Sequence, residues 1–220
     1  LTGGLVGFMG YDVVRRLEKL PSLAHKDIPL PELSFMLTSD LAVMDHSDGT
    51  ITLIANAINW DGSDDRIDEA YASCLERLDR MQADLAISLP GDAAAIPDFS
   101  LPDYTGNISA EEFKKNIAQV KEEILAGEAF QVVLSQRFAM PCTADAIDVY
   151  RMLRLNNPSP YMYLFRFTDG VEIVGSSPEA LVKVNQEDVM IHPIAGTRKR
   201  SANPEEDHRL AEELLADPKE

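Results

Sequence analysis

Residues 88–107 constrain this chain more than any other stretch. Pro90, Gly91, Pro97, Pro102 and Gly106 fall within them, and that spacing of ring-locked and Cβ-free positions breaks the periodicity of the preceding helix. The stretch reads as a linker or a long inter-domain loop with a boundary near Tyr104, which gives parts at 1–103 and 104–220. The whole chain, 220 residues and 45% hydrophobic, is long enough to bury a core in one large domain or two small ones.

The first part reads as strand-rich. Leu5 to Met9 is short, apolar and punctuated by glycine; Asp12 is placed to cap a short helix carrying Val13, Leu17 and Leu20, stopped by Pro21. Residues 33–44 and 50–58 are β-prone runs around Asp45-His46-Ser47-Asp48-Gly49, a hairpin turn. Ile67, Tyr71, Leu75, Leu78 and Leu85 then recur at helical spacing.

The second part restarts at Ser109 and Glu112, which have capping-box spacing, and Gly127 stands where that helix would end. Residues 130–139 alternate, with Phe130, Val132, Leu134 and Phe138 on one face and Gln131, Val133, Ser135 and Arg137 on the other. A helix over 145–155 cannot pass Asn157-Pro158-Ser159-Pro160. Strands follow at 161–167, 171–174, 181–184 and 189–194, with Asp169-Gly170 as a tight turn. Asn203, Pro204 and Glu206 open a last helix whose acidic residues form a solvated face. Hairpin-joined strands with helices between the groups imply an α+β fold with a largely antiparallel sheet.

Charge and cysteines exclude several functions. Asp and Glu outnumber Lys and Arg by 37 to 20, a formal charge of -17. That balance argues against binding nucleic acid or anionic membrane through the bulk surface, because phosphate affinity depends on cationic contacts. No apolar run reaches the roughly 20 residues of a membrane-spanning helix. Cys74 and Cys142 lie far apart with no zinc-like spacing, which points to a reducing cytoplasm. The chain opens Leu1-Thr2-Gly3-Gly4 and stops after a helical pattern, so it is expected to be a piece of a longer protein.

Three places invite chemistry. Glu179 follows an apolar strand in Gly175-Ser176-Ser177-Pro178-Glu179; it is either a solvent-facing turn residue or a semi-buried carboxyl usable as a general acid. Gln131 is an uncharged amide among strand residues, fit to bond a substrate or a neighbour inside the protein. Gly196-Thr197 at a strand end lets a ligand approach the backbone, with a hydroxyl and an amide to hold a carboxylate. Arg198-Lys199-Arg200 beside them either attract an anion or form a solvated loop.

Four strings in one order resemble the chorismate-utilising enzymes: Gly127-Glu128-Ala129-Phe130-Gln131-Val132-Val133-Leu134-Ser135-Gln136-Arg137-Phe138, Asn157-Pro158-Ser159-Pro160-Tyr161-Met162, Val174-Gly175-Ser176-Ser177-Pro178-Glu179, and His192-Pro193-Ile194-Ala195-Gly196-Thr197-Arg198. Within that family the chain is most similar to the large subunits of anthranilate synthases, and residues 5–12 with the following strands resemble the second part of their N-terminal domain. The resemblance implies part of a β-sandwich of antiparallel sheets with outer helices, truncated here. It assigns 1–103 to the N-terminal domain plus linker and 104–220 to the first part of the chorismate-binding domain.

The resemblance also implies a reaction: chorismate takes up ammonia, supplied from glutamine by a partner amidotransferase, loses its C4 hydroxyl, and then eliminates pyruvate to leave anthranilate. Glu179 corresponds to the acid that protonates the departing hydroxyl, Gly196 and Thr197 to positions lining the substrate site, and Glu220 to the first of the carboxylates around Mg2+. Pro160, Tyr161 and Met162 correspond to contacts for tryptophan as feedback inhibitor. Two positions separate relatives. Where this chain has Gln131, water-using relatives carry a lysine that can activate water; ammonia needs no such base. Where it has Ala195, para-aminating relatives often carry a nucleophilic lysine. The alternatives are aminodeoxychorismate synthase, disfavoured by Ala195, and a non-catalytic amino-acid-binding module, disfavoured by Glu179 and Thr197. The family's remaining metal glutamates, a histidine and an arginine have no counterpart up to Glu220, so the chain by itself is expected to make little or no anthranilate. Truncated sheet edges also raise the prospect of self-association.

Overall fold

Alternating and capped segments take up regular structure in a computed structural model that describes residues 2–23, 26–88, 103–193 and 196–218. Its elements cluster into two compact units, Leu1–Ala93 with Phe165–Val171, and Ala94–Leu164 with Glu172–Glu220.

In the first unit β1 (Gly4–Met9) pairs antiparallel with β2 (Leu33–Thr38), from Gly4 opposite Thr38 to Met9 opposite Leu33. A Cβ on Gly7 would lie 2.8 Å from the Phe35 Cα, so this ladder closes only with glycine there. Between them residues 11–16 make a 3-10 helix, Tyr11–Arg16, shorter than the helix expected to reach Leu20; Asp12 lies inside it and accepts from Arg15 (2.7 Å) instead of capping it. Leu17 stands 84% exposed; with no apolar surface under that face, the longer helix has nothing to pack on.

The expected single run over 33–44 divides at Ser39. β2 serves β1, while β3 (Asp40–Asp45) pairs with β4 (Thr50–Ala55). Asn56 holds the division by donating both its backbone N–H (3.0 Å) and its side-chain amide (2.7 Å) to the Ser39 carbonyl. The β3–β4 turn forms as read: the Asp45 carboxylate accepts from the Ser47 N–H and hydroxyl, and Asp48 accepts from the Thr50 N–H. Gly49 takes φ 75°, a conformation that costs glycine nothing.

α1 (Ile67–Ala86) buries Cys74, and Arg77, one turn on, ties the helix to the hairpin. Its guanidinium donates to the Asp40 carboxylate, to the Asn56 carbonyl (3.0 Å) and to the Cys74 sulfur (3.1 Å). Phe8 meets Phe167 edge to face, centroids 5.5 Å apart. Phe167 and Cys74 are the buried apolar residues among those described.

In the second unit β5 (Thr105–Gly106) pairs with β6 (Phe138–Ala139) around α2 (Ala110–Leu125). Ser109 caps α2 by accepting from the Glu112 N–H at 3.2 Å. At the other end Gly127 has φ 85°, its N–H bonds the Ile124 carbonyl, and the Glu128 N–H bonds the Glu123 carbonyl; these two bonds are a Schellman closure. α3 (Ala146–Asn156), capped by Asp145, leads to β7 (Tyr161–Arg166), which pairs with β8 (Glu172–Ser177); the stretch Phe165–Val171, which closes β7 and carries the turn at Asp169-Gly170, belongs to the first unit. β9 (Lys183–Asn185) and β10 (Asp188–Met190) form a small antiparallel hairpin. α4 (Pro204–Leu215) starts as read: Asn203 accepts from the N–H groups of Glu205 and Glu206, with Pro204 in the first turn.

The class is α+β with antiparallel ladders, as expected. The described strands pair two by two rather than in one broad sheet, and apolar residues on them stay open, Leu5 at 69% and Val184 at 64%. No described helix is long and apolar enough to cross a membrane.

Candidate active site

The expected effector and acid segments come from neighbouring strands. Pro158 ends α3, and Asn157 leaves it at φ -144°, ψ 63°. The chain then passes Ser159 and Pro160 into β7, with Pro160 and Tyr161 exposed and Met162 half-buried. β8 runs beside it and carries Gly175, Ser176 and Ser177 toward Glu179. Two contacts fasten the segments. The Ser176 hydroxyl donates to the Asn157 carbonyl at 2.7 Å. The Tyr163 ring lies so close over Gly175 that an added Cβ would fall 2.6 Å from Cε2 and nearer still to Cζ and Oη.

Glu179 itself is half-buried. The Ser177 hydroxyl donates to its carbonyl at 2.9 Å and accepts from its N–H at 3.5 Å, a local turn that sets the backbone and leaves the carboxyl free of secondary-structure duty. A half-buried carboxyl on such a turn can deliver a proton to a departing oxygen.

Gln131 departs from expectation. Residues 130–137 form no strand; only Phe138–Ala139 pairs, and Gln131 is exposed. Alternation specifies a strand only where a neighbour supplies the ladder, and here the apolar face stays open: Phe130 is fully exposed and Val132 42% exposed. The segment is held at its far end, where Gln136 donates to the Ile108 carbonyl (3.1 Å) and the Arg137 N–H to the Asn107 side chain (2.9 Å).

Gly196 is half-buried and Thr197 exposed. The neighbouring basic run does not gather an external anion with both arginines, because acids of α4 and the residues after it take them. Arg198 donates to Asp217 (2.9 Å) and lies 3.7 Å from Glu213. Arg200 forks onto Asp207 at 2.8 and 2.7 Å. That fork, with the Ser201 N–H, holds the Asp207 carboxyl down at about 2, and Asp207 in turn raises Arg200. The acidic face of α4 is therefore partly used within the chain: Glu206 also accepts from the Ser201 hydroxyl at 2.9 Å.

Ala195 and Glu220 lie outside the described residues. Among the described residues no three His, Cys, Asp or Glu side chains come together as a metal centre. Gln131, Glu179 and Thr197 share no hydrogen bond or ion pair among the described residues, whereas the Asn157–Met162 string and the Glu179 turn are joined. Asn157–Ser176 and Arg198–Asp217, each 19 residues apart, escaped the sequence reading; nothing local marks such partners.

A cleft of about 590 Å³ lies in the first unit, lined by Trp60, Tyr71, Ile58, Asn59, Arg66 and others, and holds none of the expected site residues.

Comparison with known proteins gives the geometry its context. Residues 1–220 match the family model described as chorismate binding enzyme. The chain is 52% identical to "Anthranilate synthase component 1" of Mycolicibacterium smegmatis over all of its length and 43% of the relative's. It is 46% identical to the protein of the same name from Arthrobacter globiformis, again over 43% of that protein. The crystal structure of anthranilate synthase component I from Streptococcus pneumoniae superposes with a TM-score of 0.79 at 33% identity, covering 99% of this chain and 46% of that one. The chain thus spans under half the length of the relatives it matches. With the family model matched from first residue to last, the four motifs in order and the shared fold, this chain belongs to the chorismate binding enzyme family.

Proposed function

We propose that the chain is part of an anthranilate synthase large subunit. In this reading chorismate accepts ammonia, its C4 hydroxyl leaves as water with a proton from Glu179, and the aminated intermediate loses pyruvate to give anthranilate. The observation that carries the reading is the identity to proteins named anthranilate synthase component 1 along the entire chain, together with Gln131 and Ala195 at the two positions that separate aminating and ortho-selective members. The half-buried turn that presents Glu179 supports the acid's role.

Gly196 and Thr197 bind the substrate in this proposal, Gln131 serves the amination step without acting as a base, and Pro160, Tyr161 and Met162 take tryptophan as inhibitor. An aromatic ring and a thioether behind rigid prolines suit an indole. The first 103 residues belong to the N-terminal domain and linker, and 104–220 open the chorismate-binding domain. Ammonia comes from a partner glutamine amidotransferase, and the enzyme works in the cytoplasm. Mg2+ is the family's usual ion, with Glu220 as one ligand; the described residues do not by themselves build its site.

The test uses the longest natural polypeptide that carries this chain, given chorismate and ammonium. The product should be the ortho amino acid with pyruvate in equal amount, and tryptophan should suppress it. A para amino acid, isochorismate, or tryptophan binding without turnover would each replace this reading with another.

A further inference from the structure

The arginine after Thr197 holds that residue without having to touch a substrate. Residues 196–200 belong to no helix or strand, so no backbone ladder fixes them. The Arg198 guanidinium does so instead. Nη1 donates to the Thr197 carbonyl (3.2 Å), Nη2 to Asp217 Oδ2 (2.9 Å), and Nε stands 3.7 Å from Glu213 Oε1. Both main partners are two-thirds or more covered, with side chains 29% and 33% exposed. A planar fork reaches three acceptors on two segments at once, which a lysine ammonium does not. Two residues on, Arg200 and the Ser201 N–H bind Asp207 in the first turn of α4, so the loop is pinned at the start of that helix and again, through Asp217, just past its end. Thr197 meanwhile spends its carbonyl on Arg198. Its hydroxyl and N–H carry no hydrogen bond among the described residues, and the residue is exposed.

We propose that Arg198 is a positioning residue: the Arg198–Asp217 pair fixes the loop so that the free Thr197 hydroxyl and amide meet a substrate carboxylate. The inference rests on the reading of Thr197 as a chorismate contact. An exposed ion pair would contribute little; this one acts through the order it imposes on the Thr197 end of the loop, three residues before the second pin at Arg200 and Ser201.

The experiment compares Arg198→Gln, Asp217→Asn, Asp217→Glu and the double Arg198→Gln/Asp217→Asn in the longest natural polypeptide. Arg198→Gln and Asp217→Asn should each raise the chorismate KM about 10-fold with kcat within about twofold, as expected when binding is weakened equally in ground and transition states. The double variant should be no worse than the weaker single, because both remove one interaction. Asp217→Glu should stay within about threefold of wild type. Hydrogen exchange at the Ser201 N–H, the amide of this loop that the Asp207 carboxylate holds, needs no turnover and should quicken about 10-fold or more in Asp217→Asn. Unchanged exchange there overturns the inference whatever the activity. So does an unchanged KM, or a fall in kcat alone with a lowered melting temperature, which marks a merely structural pair. Failure of the functional reading looks different: the wild-type protein itself would make no anthranilate.

Discussion

Gly175→Ala tests how tightly β7 and β8 are fitted beneath the proposed acid. The new Cβ would enter the space of the Tyr163 ring, at 2.6 Å from Cε2 and closer to Cζ and Oη. Ordinary carbon contacts need about 3.5 Å or more, so the ring has to retreat by about 1 Å. Tyr163 is 37% exposed, and it can swing outward rather than force the strand apart. Overpacking of this kind costs about 1–3 kcal/mol, while replacing glycine in an extended segment returns about 0.4–1 kcal/mol through the unfolded chain. A net loss of about 1–2 kcal/mol follows. Urea unfolding of the longest natural polypeptide reads it, with Tyr163→Ala as the control background. Gly175→Ala should destabilise the wild type and be neutral or better once the ring is gone. Equal destabilisation in both backgrounds would refute the clash and locate the cost in the backbone.

Other perturbations have equally definite outcomes. The Asp207 carboxyl sits at about 2 in the folded protein against an ordinary 3.8. Its contribution is therefore present above pH 3.8 and lost as pH falls through about 2. Asp207→Asn should flatten that part of a melting-temperature profile, and an unaltered profile would count against the Arg200 fork. Gly127→Ala forces a Cβ into φ 85° at the end of α2 and should cost about 1–2 kcal/mol. Chemical denaturation measures the loss, and faster hydrogen exchange should appear first at the last turn of α2. Arg77→Ala should loosen α1 from the β3–β4 hairpin by about 1–3 kcal/mol, since it leaves Asp40 and the Asn56 carbonyl without their guanidinium; Arg77→Lys should recover only part.

Capped and turned segments were legible because their partners lie within four residues. The Ser109, Asn203 and Asp45 side chains each accept from a backbone N–H nearby as read, and of the Ser109–Glu112 capping box the Ser109 half alone forms among the described residues. What failed depended on distant surfaces. The alternation over 130–139 names a strand, yet a strand exists only with a neighbour. The run at 33–44 hides its division at Ser39 because alternation cannot say that β1 claims one half and β4 the other. At the site, the place of Glu179 after an apolar strand left two alternatives open, a solvent-facing turn residue or a semi-buried carboxyl, and only the packed strands show it half-buried. The fastening of Asn157 to Ser176, and of Arg198 to Asp217, was not legible, since each pair meets only after a strand or helix has folded between its members.

The most direct measurement is the steady-state rate of Glu179→Gln in the longest natural polypeptide, supplied with chorismate and ammonium. Removal of the acid without change of shape should lower kcat by at least about 100-fold, with tryptophan binding and the melting temperature unchanged. Anthranilate formation at a near-wild-type rate would contradict the account.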